Sequence, residues 1–227
     1  MTPREFNERL LKRARRAGVT VDASLADRLS AYYRLLESWN QKINLTAFNL
    51  AGAPDEAIDR LLVEPLVASR HLAGSHAHPH FVVGPHPQML DIGSGGGSPA
   101  IPLKLALPNV RLLMVESKTR KSAFLREAIR QLGIEGADVL TARAEELLAR
   151  PELHESQDFV TVRAVRTEQK LMVRLQAFLR LGGRIMLFRA AGGSESPPMV
   201  TPPLVYEATV PLVESFRSRL VVLRRML

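Results

Sequence analysis

The sequence contains no cysteine and no long apolar run. Without cysteine the chain can form no disulfide framework, iron–sulfur cluster or thiolate zinc site, and it has no cysteine nucleophile. The absence of an uncharged apolar stretch of about 18 residues argues against a membrane span. The N-terminus leads into a charged, helix-like segment in place of an apolar signal region. We therefore expect a cytoplasmic protein that is neither membrane-bound nor secreted.

The composition is that of a folded domain with an excess of positive charge. Of the 227 residues, 46% are hydrophobic and 24% are charged, which is typical of soluble globular proteins and fits one enzyme domain with an appendage. Lys and Arg exceed Asp and Glu by 31 − 23 = 8. This excess favours a polyanionic partner, although a merely solubilising surface charge explains the number equally well.

Residues 1–74 are predicted to form a helical N-terminal extension. Apolar residues recur at helical spacing in a first segment that ends near Gly18, in a second capped by Asp22 or Ser24, and in a third from Pro54 towards Leu72. Tyr32 and Trp39 share the apolar stripe of the second helix. Together with Tyr33 they could stack on the bases of a polyanionic partner, but their helical spacing favours the core.

Residues 75–87 are predicted to be a linker that is rich in His, Pro and Gly. A metal site is the competing interpretation, because His76, His78, His80 and His86 lie close together. Alternate residues in a proline-interrupted loop do not fix a tetrahedral geometry, and no Asp, Glu or Cys lies among them. We therefore expect no bound metal.

From Gln88 onwards, apolar runs alternate with helical patterns. Parallel strands joined by crossover helices predict an α/β fold with a doubly wound, Rossmann-like sheet over residues 88–227. The predicted strands are Met89–Ile92, Arg111–Val115, Asp138–Thr141, Phe159–Val162 and Arg184–Phe188. The predicted helices are Pro99–Leu107, Thr119–Leu132, Ala144–Ala149 and Glu168–Leu179, the last ended by Gly182-Gly183. A terminal antiparallel pair is predicted at Leu204–Val210 and Leu220–Leu223.

The most informative segment is the glycine loop after the first of these strands. It carries Asp91, Gly93, Gly95 and Gly97, at a point where doubly wound folds bind ligands and where glycine lets the backbone approach closely. Ser98 replaces the third glycine of a dinucleotide fingerprint, and the Gly-Lys-Ser/Thr of a phosphate loop is absent. The remaining pattern, acidic-x-Gly-x-Gly-x-Gly, is typical of S-adenosylmethionine-dependent methyltransferases.

Two further acidic positions fit this interpretation. Glu116 ends the next strand about twenty residues later, where a carboxylate accepts hydrogen bonds from both ribose hydroxyls. Ala144 and Glu145 follow the third strand, where backbone groups and a carboxylate usually meet the adenine. Both acids also suit the first turn of an ordinary helix.

These motifs resemble the RsmG/GidB family of bacterial small-subunit ribosomal RNA guanine-N7 methyltransferases. The resemblance extends over nearly the whole chain. It is carried by the N-terminal signature Trp39-Asn40-Gln41-Lys42-Ile43-Asn44-Leu45-Thr46, by the glycine loop through Leu103, and by Val115-Glu116-Ser117, Arg143-Ala144-Glu145-Glu146 and Arg163-Ala164. It implies a methyltransferase that uses S-adenosylmethionine to modify a guanine N7 of 16S rRNA, with cofactor contacts at Gly93, Ser98, Ala144, Glu145 and Arg163.

The chain departs from the family pattern at several positions around the cleft. Ser98 stands where the family has a large apolar residue, and Ala100 where it has glycine. Leu61 replaces the histidine of an Arg-His-x-x-Asp-Ser motif whose arginine is kept as Arg60. Val162 replaces a serine, and Arg189-Ala190 a Lys-Gly pair.

Basic residues would supply the contacts to RNA. Arg163 is predicted as the catalytic residue, at the boundary between cofactor and substrate. Phosphate contacts, which position the RNA without reading its bases, are predicted at Arg13, Arg16, Arg60, Lys121 and Arg189. We expect a monomer that acts on 16S rRNA or the small ribosomal subunit. A methyltransferase of the same fold with another substrate, and a noncatalytic RNA-binding or assembly factor that keeps the cofactor pocket, remain open.

Overall fold

The computed structural model describes residues 1–73, 84–163, 169–190 and 200–226. Most of the predicted histidine-rich linker, including His76, His78 and His80, therefore lies outside the described residues. None of the helices in the described ranges combines the length and the hydropathy that a membrane span requires.

The N-terminal extension is helical, as predicted. Its first helix begins with a capping box, in which Thr2 and Glu5 bond each other's backbone N–H groups, and its second is capped by Asp22. The third is interrupted by one π-helical segment, Asp59–Val63. The α-helices of this region are α1 (Pro3–Arg16), α2 (Ala23–Asn40), α3 (Asp55–Ile58) and α4 (Glu64–Ala73).

The rest of the described chain forms a seven-stranded sheet with the order β3-β2-β1-β4-β5-β7-β6. Its strands are β1 (Gln88–Ile92), β2 (Arg111–Glu116), β3 (Ala137–Thr141), β4 (Gln157–Arg163), β5 (Leu179–Arg189), β6 (Leu204–Pro211) and β7 (Arg219–Arg225). The first five pair in parallel, and the last two are antiparallel. This order confirms the predicted doubly wound α/β fold and the terminal antiparallel pair.

Helices cover both faces of the sheet. The connecting α-helices are α5 (Ala100–Ala106), α6 (Thr119–Gln131) and α7 (Gln169–Gln176). Alternate residues of each strand enter two separate cores, as Met89 and Leu90 do in β1. The N-terminal helices share the first core with α5 and α6, so they extend the helical layer on that face of the sheet.

The helix predicted at Ala144–Ala149 is confirmed, as a 3-10 helix. The prediction for Gly182-Gly183 was wrong. Gly182-Gly183 does not end a helix but lies inside β5, which begins at Leu179. Here β4 and β5 change register, and a Cβ on Gly183 would lie 2.8 Å from the carbonyl oxygen of Gln157. Only glycine leaves room for this close approach.

Candidate functional site

The glycine loop follows β1 and bends across the end of β2. Gly93, Gly95 and Gly97 have φ values of 75°, 53° and 86°, a left-handed region that other residues enter only with strain. The backbone N–H groups of Gly93 and Ser94 donate to the carbonyl oxygen of Val115 at 2.9 and 3.0 Å. The loop is thereby held beside the last residue of β2.

That last residue is Glu116, which is 7% exposed. Its carboxylate accepts hydrogen bonds from the backbone N–H groups of Gly95 at 3.0 Å and Lys118 at 2.8 Å, and a longer one from the Ser117 hydroxyl at 3.4 Å. A carboxylate has about four acceptor positions, so capacity for ligand hydroxyls remains. The structure therefore brings together the predicted loop and the predicted acid.

Asp91 lies under the loop and is almost fully buried. Thr161, its partner across the β1–β4 pairing, donates to Oδ1 at 2.5 Å. Oδ2 has no hydrogen-bond partner within the described ranges. Burial is the main reason why the pKa of this carboxyl is raised above its ordinary value. A buried acceptor without a partner at this edge of the sheet suits a cationic ligand group.

Tyr32 and residues of the N-terminal signature support the glycine loop. The Tyr32 hydroxyl donates to the carbonyl oxygen of Gly96 at 2.6 Å. Asn40 closes the following turn, because its side-chain oxygen accepts from the backbone N–H groups of Leu45 and Thr46. A Cβ on Gly96 would lie 3.2 Å from the carbonyl oxygen of Leu45. Sequence reasoning recognised this signature but missed its contact with the loop.

A buried charge cluster lies at the end of β4. Arg163 donates to Glu64 at 2.9 Å and to the Ser98 hydroxyl at 3.0 Å, and it stacks over the Phe188 ring at 4.8 Å. Glu64, which is fully buried, also pairs with Arg60 at 2.5 Å.

Burial lowers the pKa of Arg163 to about 10, so the guanidinium stays cationic at neutral pH. Its Nε, also buried, has no partner among the described residues. The signal that sequence reasoning overlooked was the i, i+4 spacing of Arg60 and Glu64, which are separated by three apolar residues.

The predicted adenine contacts, Ala144 and Glu145, are less enclosed than the loop and Glu116. Ala144 is half-buried in the 3-10 helix after β3, at the same edge of the sheet as Glu116. Glu145 is exposed and forms an ion pair with Arg174 at 3.0 Å. The structure therefore places both residues near the loop edge, but it gives the Glu145 carboxylate an intramolecular partner.

The comparisons with known proteins agree with this geometry. The family described as rRNA small subunit methyltransferase G matches residues 25–196. The chain belongs to this family.

Two curated relatives are named ribosomal RNA small subunit methyltransferase G. The protein of Geobacter sp. (strain M21) is 35% identical over 188 residues, which cover 83% of this chain and 79% of the relative. That of Roseiflexus sp. (strain RS-1) is 35% identical over 177 residues, covering 78% and 70%. Among solved structures, a mutant of MtNAS in complex with S-adenosylmethionine superposes with a TM-score of 0.55 at 16% identity, over 91% of this chain and 80% of that one.

Membership in the rRNA small subunit methyltransferase G family confirms the predicted enzyme class and S-adenosylmethionine as the cofactor. The residues at the loop fit this molecule. Asp91 offers an unpartnered buried oxygen, and Glu116 offers acceptors for hydroxyls. A Cβ on Gly95 would lie 3.7 Å from the carbonyl oxygen of Gly93 and 3.9 Å from that of Leu45, so no protein atom crowds this side of the loop.

The predicted RNA contacts differ in their surroundings. Arg13 and Arg60 are largely buried: Arg13 pairs with Asp55 and Asp59, and Arg60 with Glu64. Arg13 therefore has two carboxylate partners of its own, whereas Arg60 shares Glu64 with Arg163. Arg16 is exposed, whereas Lys121 and Arg189 are half-buried. A contact of any of these five residues with RNA stays a prediction.

Proposed function

We propose that this chain transfers the methyl group of S-adenosylmethionine to N7 of a guanine in 16S rRNA, acting as a monomer in the cytoplasm. The observation that carries the proposal is the glycine loop hydrogen-bonded to Glu116, in a chain of the rRNA small subunit methyltransferase G family. The guanine and its N7 are implied by the sequence resemblance.

The cofactor, when bound, supplies a methyl group on a positively charged sulfur, which is already a strong electrophile. The chain's own residues then have to bind the cofactor, orient it towards the acceptor base and exclude water. Glu116 would hold the ribose, the glycine loop would lie against the amino-acid tail, and Asp91 would face the ammonium group. Guanine N7 has a free lone pair, so no general base is needed at the acceptor.

We propose that Arg163 is the catalytic residue at the boundary between cofactor and acceptor. Glu64, Ser98 and the ring of Phe188 fix its guanidinium, and its Nε is left to donate a hydrogen bond to a bound group. A cation fixed by its neighbours loses little conformational entropy when it binds. Ser98, which contacts Arg163 and the carbonyl oxygen of Leu61, would act by orienting this arginine.

Methyl transfer to ribosomal substrates tests the function. The purified chain is incubated with radiolabelled S-adenosylmethionine and small subunits that lack the modification, with free 16S rRNA and precursor particles in parallel. We expect label in 7-methylguanosine at one position. Label in another nucleoside, protein or small molecule would support a different acceptor. Cofactor binding by calorimetry without transfer to any of these substrates would identify a noncatalytic factor.

A further inference from the structure

A large cavity lies outside the cofactor site. It has a volume of about 1050 Å³ and is bounded by the end of α1, by α4 and by the turn between β6 and β7. None of the glycine-loop residues, and neither Glu116 nor Arg163, lines it. Its charged and titratable lining residues are Arg16, Arg70, His71, Glu214, Arg217 and Arg219.

The lining is strongly cationic. Four arginines face a single carboxylate, and the rest of the wall is mostly apolar. At the neighbouring strand end, burial and the charge of Arg219 lower the pKa of Arg189. A cluster of cations raises the local concentration of polyanions. Arginine forks match phosphate oxygens in geometry as well as in charge.

The cavity is held in shape by a buried carboxylate. Asp59 of the π-helical segment accepts hydrogen bonds from Arg13 of α1 at 2.8 Å and from Ser215 of the β6–β7 turn at 3.3 Å. One side chain thus ties together helices and turn around the cavity.

The turn itself is closed by backbone hydrogen bonds. Arg217 has a φ of 45° in this turn, and its N–H donates to the carbonyl oxygen of Glu214 at 2.9 Å. A non-glycine residue in this region is strained. The turn nevertheless places an exposed arginine at the cavity.

The cavity lies along the same edge of the sheet as the cofactor site. Arg163 at the end of β4 is in register with Phe188 of β5, and the next residue, Arg189, is in register with Arg219 of β7. Neighbouring strands are about 4.8 Å apart, so roughly 10 Å separates the end of β4 from the start of β7. A strand of nucleic acid at the acceptor position would reach the cavity within a few nucleotides.

We propose that this cavity binds the phosphate backbone of the RNA next to the target nucleotide, with Arg70 and Arg217 as principal contacts. The proposal rests on the proposed function, since it assigns a second binding site for the same substrate. The charge of the lining and its position along the carboxyl edge favour RNA over an acidic protein. If an acidic protein is the true ligand, polyglutamate should compete with RNA for the cavity.

The test removes two exposed charges from the cavity. Arg70→Gln/Arg217→Gly is compared with Arg4→Gln/Arg150→Gln, a control that removes the same charge from two arginines elsewhere, which pair with Glu8 and Glu152. Glycine at 217 also relieves the left-handed strain, so we expect no loss of thermal stability from that change. Arg70→Lys keeps the charge and serves as the conservative variant.

Binding of a fluorescein-labelled single-stranded 30-mer of 16S rRNA sequence is measured by anisotropy over a range of KCl. For the cavity variant we expect at least tenfold weaker binding. The negative slope of the logarithm of the association constant against the logarithm of the KCl concentration should also be less steep by about 1.4, as two lost phosphate contacts imply. We expect the control double variant to stay within about twofold of wild type, and S-adenosylmethionine affinity to be unchanged in both.

The outcomes separate the two proposals. If the wild type methylates small subunits but the cavity variant keeps wild-type RNA affinity and salt slope, the cavity assignment is wrong and the proposed function stands. If the wild type transfers no methyl group to any ribosomal substrate, the proposed function fails by itself. If polyglutamate displaces the RNA 30-mer at equal charge concentration, the cavity does not select RNA.

Discussion

The backbone N–H of Gly95 donates to Oε2 of Glu116 at 3.0 Å, which joins the bend of the glycine loop to the acid at the end of the neighbouring strand. The two residues are 21 positions apart in the sequence and meet because β1 and β2 run in parallel and end together. The carboxylate is therefore oriented before any ligand arrives, and this lowers the entropic cost of binding.

The first prediction concerns this carboxylate. Glu116→Gln removes its charge while one oxygen remains to accept from Gly95. Hydrogen bonds to charged groups contribute about 1.5–3 kcal/mol, so we expect S-adenosylmethionine to bind about 10- to 100-fold more weakly. Calorimetry with S-adenosylmethionine and with adenosine should show the same loss, because both carry the ribose. Glu146→Gln is the control: Glu146 is an exposed glutamate that also accepts a backbone N–H, and equal losses in both variants would refute the ribose role.

The second prediction separates backbone strain from ligand contact in the loop. Gly95→Ala and Gly133→Ala each place a Cβ at a φ near +55°, with no protein atom within 3.4 Å. Each should cost about 1–2 kcal/mol of unfolding free energy. Only Gly95→Ala should weaken S-adenosylmethionine binding, by tenfold or more, because its methyl group would project from the cofactor loop. Equal cofactor affinity in the two variants would show that the ligand does not approach Gly95.

The sequence predicted the parallel strands and the loop because both depend on local patterns. Apolar runs mark buried strands, and the spacing of Gly93, Gly95 and Gly97 marks a close approach of backbone to ligand. The prediction for Gly182-Gly183 was wrong because glycines that can end a helix can also permit a register change between strands. Which of the two occurs here depends on the close approach of Gln157, which is distant in sequence.

The supports of the site could not be predicted from the sequence because their partners are far apart. Tyr32 meets Gly96 across 64 positions, and Glu64 meets Arg163 across 99. The stripe of the second helix correctly indicated that Tyr32 is a core residue. Nothing in that stripe indicates which carbonyl group its hydroxyl reaches.

The third prediction tests the support behind the loop. Tyr32 and Tyr33 are both buried, and each hydroxyl donates to one carbonyl oxygen: Tyr32 to Gly96 at 2.6 Å and Tyr33 to Leu50 at 3.1 Å. Phenylalanine at either position should lower the unfolding free energy by about 1 kcal/mol. Tyr32→Phe alone should also weaken S-adenosylmethionine binding several-fold. Chemical denaturation and calorimetry on both variants check this, and a similar affinity loss in Tyr33→Phe would contradict it.

The fourth prediction follows from the raised pKa of Asp91. Above the ordinary aspartate pKa of about 4, the folded protein binds more protons at this site than the unfolded chain, so the site's contribution to stability falls as pH rises. Asp91→Asn removes this loss while Thr161 can still donate to the amide oxygen. The variant's unfolding free energy relative to wild type should therefore increase between pH 4.5 and pH 8 in urea titrations. A difference that stays constant over this range would mean that the carboxyl titrates normally.

The same substitution should weaken cofactor binding if Asp91 faces the ammonium group. We expect at least tenfold lower affinity for S-adenosylmethionine at pH 8, with little change for adenosine, which lacks the amino-acid tail. Equal losses for both ligands would place Asp91 elsewhere in the site.

The most direct test of the central claim is a crystal structure of the chain with S-adenosylhomocysteine, the demethylated cofactor. We predict density against the glycine loop, with both ribose hydroxyls within hydrogen-bond distance of the Glu116 carboxylate. Density at another place in the fold, or crystals that take up no ligand at saturating concentration, would contradict the account.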